Sequence, residues 1–213
     1  MKGILIRPRF DDPTKYTFDF AAEILAWCRQ AGISVVELAE TEAIRSRVEE
    51  ELAKEGVDLF IHYDHGNEDA LIGQDKNAVI DADNCQLLKG KEVYTLACLS
   101  AKNLGARVWR IGGKYWGYVD VVSFTTDALP EFRRAFNSGF LFRFVEGDTP
   151  QNALSRAKSV FDQLSLELVD DGKTMAALAM RYDGDILVYY NGHKPTTKKK
   201  LGPFCLLWRR LRR

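Results

Sequence analysis

Two residues in this chain have the types and the setting for nucleophilic chemistry. His65 lies in Tyr63-Asp64-His65-Gly66-Asn67, and Cys98 lies in Ala97-Cys98-Leu99-Ser100. A thiol beside an imidazole pairs a nucleophile with a proton carrier. An isolated cysteine is mostly protonated at neutral pH, and a neighbouring histidine stabilises its thiolate. Gly66 would let the backbone approach a substrate closely with its N–H exposed. The turn after Cys98, opening an expected helix, offers further N–H donors to a developing oxyanion. Taken singly, His65 is a loop histidine and Cys98 a core thiol; the chemistry rests on their meeting.

For the two to meet, two strand ends must lie side by side, and the pattern of the chain supplies them. Ile4-Leu5-Ile6 is a short apolar run stopped by Pro8. Tyr16 to Gln30 has helical spacing, with Phe18, Ala21, Ala22, Leu25 and Cys28 on one face and Gly32 ending it. A β-branched strand follows from Ile33 to Leu38. A charged amphipathic helix runs from Glu42 to Lys54, and a third strand from Val57 to Ile61. A loop, a short helix from Asn84 to Leu88, and a fourth strand, Val93 to Ala97, come next. The pattern then predicts a helix over Ser100–Trp109, a strand over Tyr118–Phe124, helices over Leu129–Phe144 and Pro150–Leu168, and a last strand over Ile186–Tyr190. Phe132, Phe136, Phe140 and Phe144 recur every four residues, which reads as a helix face toward the core.

Strands alternating with helices imply parallel pairing through right-handed crossovers, with helices on both sides of the sheet. The expected fold is therefore an α/β, three-layer α-β-α sandwich with a mostly parallel central sheet. Ligands in such folds bind beyond the carboxyl ends of the strands. The third and fourth strands run into His65 and Cys98, 33 positions apart, room enough for a crossover.

On these residues the chain resembles the caspase-like cysteine peptidase superfamily, which includes caspases, legumain, gingipains, clostripain and the CHAT domain. Its members carry His-Gly at one strand end and Ala-Cys or a similar pair at the next. Tyr63-Asp64-His65-Gly66 is similar to the legumain version. The likeness is closer to short stand-alone prokaryotic proteins with a CHAT-like core. It extends over Asp11-Asp12, Thr14-Lys15-Tyr16-Thr17, His65-Gly66-Asn67-Glu68, Asn84-Cys85-Gln86-Leu87-Leu88-Lys89-Gly90-Lys91, Val93-Tyr94, Ala97-Cys98-Leu99-Ser100-Ala101, Leu104-Gly105 and Gly117-Tyr118. It covers roughly Met1 to Phe124.

The resemblance implies a caspase-like fold and cysteine-dependent peptide hydrolysis with no metal or organic cofactor. Cys98 would attack the scissile carbonyl, His65 would protonate the leaving amine, and the N–H groups of Gly66 and Cys98 would form the oxyanion hole. Asp64, Asn67, Glu68, Asp75 and Asp120 are candidates for the rim of the cleft. As substrate-binding residues, such acids would suit a basic residue on the amino side of the cleaved bond, as in clostripain and gingipains; otherwise they are solvated loop residues. Leu99 stands where many relatives have an acidic residue or arginine. The implied partner is a peptide or protein substrate. A catalytically inactive relative that binds a peptide or partner in the same cleft is the alternative, and another thiol hydrolase activity on the same dyad is a third reading.

Other motifs carry less. His62-Tyr63-Asp64-His65 has two histidines, but a metallo-β-lactamase ligand set needs another at position 60, which is Phe. Packing on the sheet is the expected role of His62. Gly172-Lys173-Thr174 lacks the earlier glycine of a phosphate loop, since position 167 is Glu, so it reads as a helix cap; Gly112-Gly113-Lys114 reads as a turn. Cys28 and Cys85 read as packing residues.

The 213 residues carry 30 basic and 30 acidic side chains, unevenly spread. Lys194 to Arg213 holds eight basic residues and no acidic one, leaving 22 basic against 30 acidic in the body, a net −8. The expected organisation is a caspase-like domain over 1–193 and a basic tail over 194–213. The acidic body gives no reason to expect nucleic acid. The tail could dock on an acidic partner or membrane surface, or fold back onto the body. No apolar run is long enough to span a membrane or serve as a signal peptide, and no C-x-x-C pair occurs. Reduced thiols in a cytoplasmic setting are expected.

Overall fold

Alternation of apolar side chains along each strand gives the central sheet two buried faces, and helices cover both. The structure, a computed structural model, describes residues 1–190. The expected tail, with His193 and Cys205, lies outside the described residues.

The chain opens with β1 (Lys2–Arg7), α1 (Asp12–Gln30), β2 (Ser34–Ala39), α2 (Arg45–Leu52) and β3 (Val57–Tyr63). A two-stranded hairpin, β4 (Leu71–Ile72) and β5 (Ala78–Ile80), precedes β6 (Glu92–Leu96), α3 (Leu104–Arg110) and β7 (Lys114–Tyr118). The last part contains α4 (Leu129–Phe140), α5 (Pro150–Asp170), α6 (Thr174–Ile186) and β8 (Leu187–Tyr190).

The main sheet has six strands in the order β2-β1-β3-β6-β7-β8. The first five are parallel, and β8 runs antiparallel to β7. Ile4, Ile6, Phe60, Val93 and Tyr115 pack with Val48 and Leu52 of α2, Leu104 and Val108 of α3, and Leu71 and Val79 of the hairpin. Leu5, Leu59, Ile61, Tyr94 and Trp116 face the other way, against α1, α4, α5 and α6. This is the expected three-layer α/β/α sandwich. Phe132, Phe136, Phe140 and Phe144 all join that second core, as their spacing predicts.

Local chemistry explains where α1 starts. The Asp11 carboxylate accepts the Thr14 N–H at 3.0 Å, Thr14 Oγ1 accepts the Asp11 N–H at 2.9 Å, and Pro13 occupies the first turn. The helix therefore begins at Asp12, a turn before the apolar pattern becomes visible at Tyr16. Asn137 of α4 then ties α1 to the sheet: its amide donates to the Phe20 carbonyl at 2.9 Å and its oxygen accepts from Tyr63 Oη at 2.7 Å.

Two expectations change. The strand predicted over Tyr118–Phe124 lies earlier, at Lys114–Tyr118, and residues 119–125 leave the sheet. Lys114–Trp116 pairs with β6 and Tyr115–Tyr118 with β8; the Val121-Val122 pair that looked like a strand sits beyond both ladders. The helix expected from Ser100 starts at Leu104, because residues 98–103 form turns. No helix among the described residues is long and apolar enough to cross a membrane.

Candidate active site

His65 and Cys98 follow neighbouring strands. Parallel pairing matches Tyr63 of β3 with Leu96 of β6, and the Asp64 N–H extends the ladder by donating to the Leu96 carbonyl at 3.2 Å. His65 and Cys98 thus occupy equivalent places, each two residues past the last pair. Gly66 seals this arrangement. A Cβ at position 66 would lie 3.0 Å from Ala97 Cβ, 3.1 Å from the Cys98 carbonyl oxygen and 3.3 Å from the Ala70 carbonyl. A side chain there would force these neighbours to give by a few tenths of an ångström. Gly66 also bridges Leu71, but the bonds of that bridge use the His65 carbonyl and the Asn67 N–H, leaving the Gly66 N–H out of the ladder.

A third strand end joins them. Asp11, four residues past β1, accepts a hydrogen bond from His65 Nε2 at 2.8 Å through Oδ2, while Oδ1 caps α1. Partial burial alone would raise the Asp11 pKa, but the bonds from Thr14 and His65 outweigh it and hold the carboxyl below its usual range. A carboxylate on Nε2 fixes the ring tautomer and leaves Nδ1 as the basic nitrogen. The Phe10 ring lies 5.6 Å from the imidazole, tilted at 42°, and walls one side. The strand order reverses between β1 and β3, so this meeting falls at the topological switch point of the sheet. Sequence reasoning quoted Asp11 as part of a motif and missed its role. The signal was present: a capping Asp beyond the strand beside the histidine strand.

Cys98 is partly exposed, and its Sγ lies 3.7 Å from the Val122 carbonyl oxygen as a donor. The next residue, Leu99, has φ +60°. For a branched side chain this left-handed conformation costs about 1–2 kcal/mol. Flanking bonds hold it: Leu99 N–H to the Asp120 carbonyl at 3.0 Å, Ala101 N–H to the Tyr118 carbonyl at 3.0 Å, and Lys102 N–H to the Leu99 carbonyl at 2.9 Å. The sharp bend turns the chain out of β6 just after the sulfur. Below it Ser100 is fully buried, its hydroxyl 2.9 Å from Thr95 Oγ1.

Of the residues expected on the rim, Asp64 is buried and the others are bonded to neighbouring residues. Asp64 is 5% exposed and neither of its oxygens has a hydrogen-bond partner. Burial pushes its pKa up to about 8; the nearby Asp11 charge adds to the rise, and the His65 backbone N–H, outside full hydrogen-bond geometry, opposes it. At neutral pH Asp64 is therefore mostly the neutral acid. Asn67 closes its own loop, its Oδ1 accepting the Asp69 and Ala70 N–H groups at 2.8 and 2.9 Å. Glu68 pairs with Lys102, and its carbonyl accepts the Asn103 and Leu104 N–H groups that open α3. Asp120 accepts from Val121 N–H at 2.9 Å and Tyr182 Oη at 2.8 Å. Asp75 bonds Asn77 within the β4–β5 turn. An open depression of about 500 Å³ lies alongside, lined by Asn67, Glu68, Asp69, Asp81 and Asp83 among others, and neither His65 nor Cys98 reaches it.

His62 is fully buried and takes the packing role expected of it. Its Nε2 bonds the Ile72 carbonyl at 2.8 Å, and burial lowers its pKa to about 4. Among the described residues no group of three or more His, Cys, Asp or Glu is gathered to hold a metal ion. Cys28 and Cys85 are buried, and burial raises both thiol pKa values, that of Cys28 to about 11. No family model matches this chain, and no curated protein matches it.

Proposed function

We propose that this chain is a cytoplasmic caspase-like cysteine peptidase in which Cys98 is the nucleophile, His65 the proton carrier and Asp11 the residue that orients it. The observation that carries the reading is the 2.8 Å bond from His65 Nε2 to Asp11 at a strand end directly beside the one bearing Cys98. Cys98 gives its proton to His65 Nδ1 and the sulfur attacks the scissile carbonyl. The oxyanion is received by the Gly66 and Cys98 N–H groups. His65 returns the proton to the amine, which leaves as the C–N bond breaks. Water, deprotonated by the same imidazole, then attacks the thioester and releases the acid and the thiol. None of these steps calls on a cofactor.

The proposal does not extend to basic residues at the cleavage site. Asp64 is buried, and Asn67, Glu68 and Asp120 are each tied to their own partners. The Val122 carbonyl lies beside the sulfur, and the Phe10 ring lies against the His65 imidazole.

One observation favours the second reading, a non-catalytic peptide-binding module. The Cys98 S–H donates to the Val122 carbonyl oxygen at 3.7 Å, a contact that a thiol makes and a thiolate cannot. Limiting iodoacetamide with peptide mapping separates the two. As a peptidase, the folded protein labels Cys98 faster than Cys28 or Cys85 at neutral pH, and His65→Ala slows Cys98 alone. Equal labelling of Cys98 and Cys85, unchanged by His65→Ala, would replace the enzyme with the binding module.

A further inference from the structure

The segment leaving β7 is bonded on both sides. Toward the cysteine turn, the carbonyls of Tyr118, Asp120 and Val122 accept from Ala101 N–H, Leu99 N–H and Cys98 Sγ. Toward the far side, the Val119 N–H donates to the Ile186 carbonyl at 3.1 Å, Asp120 Oδ2 accepts from Tyr182 Oη at 2.8 Å, and the Ser123 N–H donates to Asp183 Oδ1 at 3.2 Å. Residues 118–123 thus form an arm held between the nucleophile turn and the end of α6. On its other side the arm is bonded to residues 182–186 at the end of α6.

We propose that Tyr182 and Asp183 of α6 are positioning residues for Cys98, holding the 118–123 arm that in turn fixes the sulfur and the Leu99 bend. The inference rests on the peptidase reading above and extends its machinery to a helix some 84 residues away in sequence from the nucleophile. Tyr182 acts through one hydroxyl on the Asp120 carboxylate. Asp183 acts through one oxygen on the Ser123 N–H, while its other oxygen is buried with no partner. Burial drives its pKa well above the ordinary carboxyl value, and Oδ1 is the acceptor that holds the Ser123 N–H. Asparagine offers the same acceptor without a charge, and alanine offers none. The left-handed Leu99 needs this support, since a strained turn persists only where its surroundings over-determine it.

The test uses the full chain and the alkylation rate of Cys98 by iodoacetamide, with Cys28 and Cys85 as internal references. Asp183→Ala and Tyr182→Phe should each slow Cys98 at least threefold and move the pH at which its labelling is half-maximal. Asp183→Asn should stay within twofold of the wild type. Cys28 and Cys85 should keep their rates in all three. Wild-type rates at Cys98 in both Asp183→Ala and Tyr182→Phe would overturn the positioning role and leave the peptidase reading standing. Slower Cys98 accompanied by faster Cys28 and Cys85 would mark general loosening and overturn it too. If Asp183→Ala does not fold, Tyr182→Phe decides alone, since it removes only a hydroxyl. A wild-type Cys98 no more reactive than Cys85 is the separate result that fells the peptidase reading, and the positioning role with it.

Discussion

Asp11 does two jobs with its two oxygens: Oδ1 caps α1 through the Thr14 N–H, and Oδ2 holds His65 Nε2 at 2.8 Å. The helix start and the proposed proton carrier are thereby fixed to each other, across 54 residues of sequence.

The two jobs come apart by substitution. Asp11→Asn retains an acceptor for Thr14 and should change stability by only a few tenths of a kcal/mol, whereas Asp11→Ala should cost about 1 kcal/mol. Both should slow Cys98 alkylation. A buried orienting carboxylate can be worth about 10⁴-fold. Asp11 and His65 are each more than a third exposed, so roughly tenfold is expected here. Urea unfolding and labelling on the same samples check both, and equal labelling in all three proteins would remove Asp11 from the mechanism.

Gly66→Ala should disturb the dyad from the backbone side. The added methyl meets Ala97 Cβ and the Cys98 carbonyl at 3.0 and 3.1 Å, so β3 and β6 must spread at their ends. Overpacking of this kind costs about 1–3 kcal/mol. Cys98 labelling should fall along with thermal stability, and an alanine variant as reactive as the wild type would show that the close approach at Gly66 is not needed.

Asp64 and His62 give opposite pH dependences. The Asp64 pKa is raised from an ordinary 3.8 to about 8, so the folded state binds a proton that the unfolded chain has lost. Its contribution is full below pH 3.8 and disappears as pH rises to about 8. His62 is lowered from 6.5 to about 4, so its contribution is full above pH 6.5 and disappears as pH falls to about 4. Each pH unit within either window is worth at most about 1.4 kcal/mol. Asp64→Asn should therefore exceed the wild type in melting temperature at pH 8, with the gap narrowing toward pH 4. His62→Gln should flatten the acid limb. A wild-type stability curve flat from pH 4 to 8, unchanged by either substitution, would refute both assignments.

The exits of β3 and β6 could be read from sequence because each is a local signal: an apolar run that ends in a residue with chemistry. Asp11 could not be paired with His65 the same way, since that requires knowing that β1 lies beside β3. The strand after Gly113 was placed too late because Val121 and Val122 look β-forming whether or not a neighbour bonds them. Helix α6 went unread because Asp183 and Gly184 resemble a turn. In the fold, Gly184 is what lets α6 lie against α5, as a Cβ there would sit 2.7 Å from Phe161 Cβ. The surroundings of the acids expected on the rim were illegible for a related reason. Sequence shows that Asp64, Glu68 and Asp120 are acidic, but not that one is buried and the others are already bonded to Lys102 and Tyr182.

The antiparallel β8 has a consequence for how this thiol is controlled during synthesis. The arm beside Cys98 is backed by residues 182–187, which are among the last of the described chain to be made. These contacts cannot form before residues 182–187 have been made. A nascent chain that has already built β1, β3 and β6 still has an unsupported turn at Cys98. On the peptidase reading proposed above, reactivity switches on only when the sheet is closed at its far edge, so partly folded molecules would not attack their neighbours.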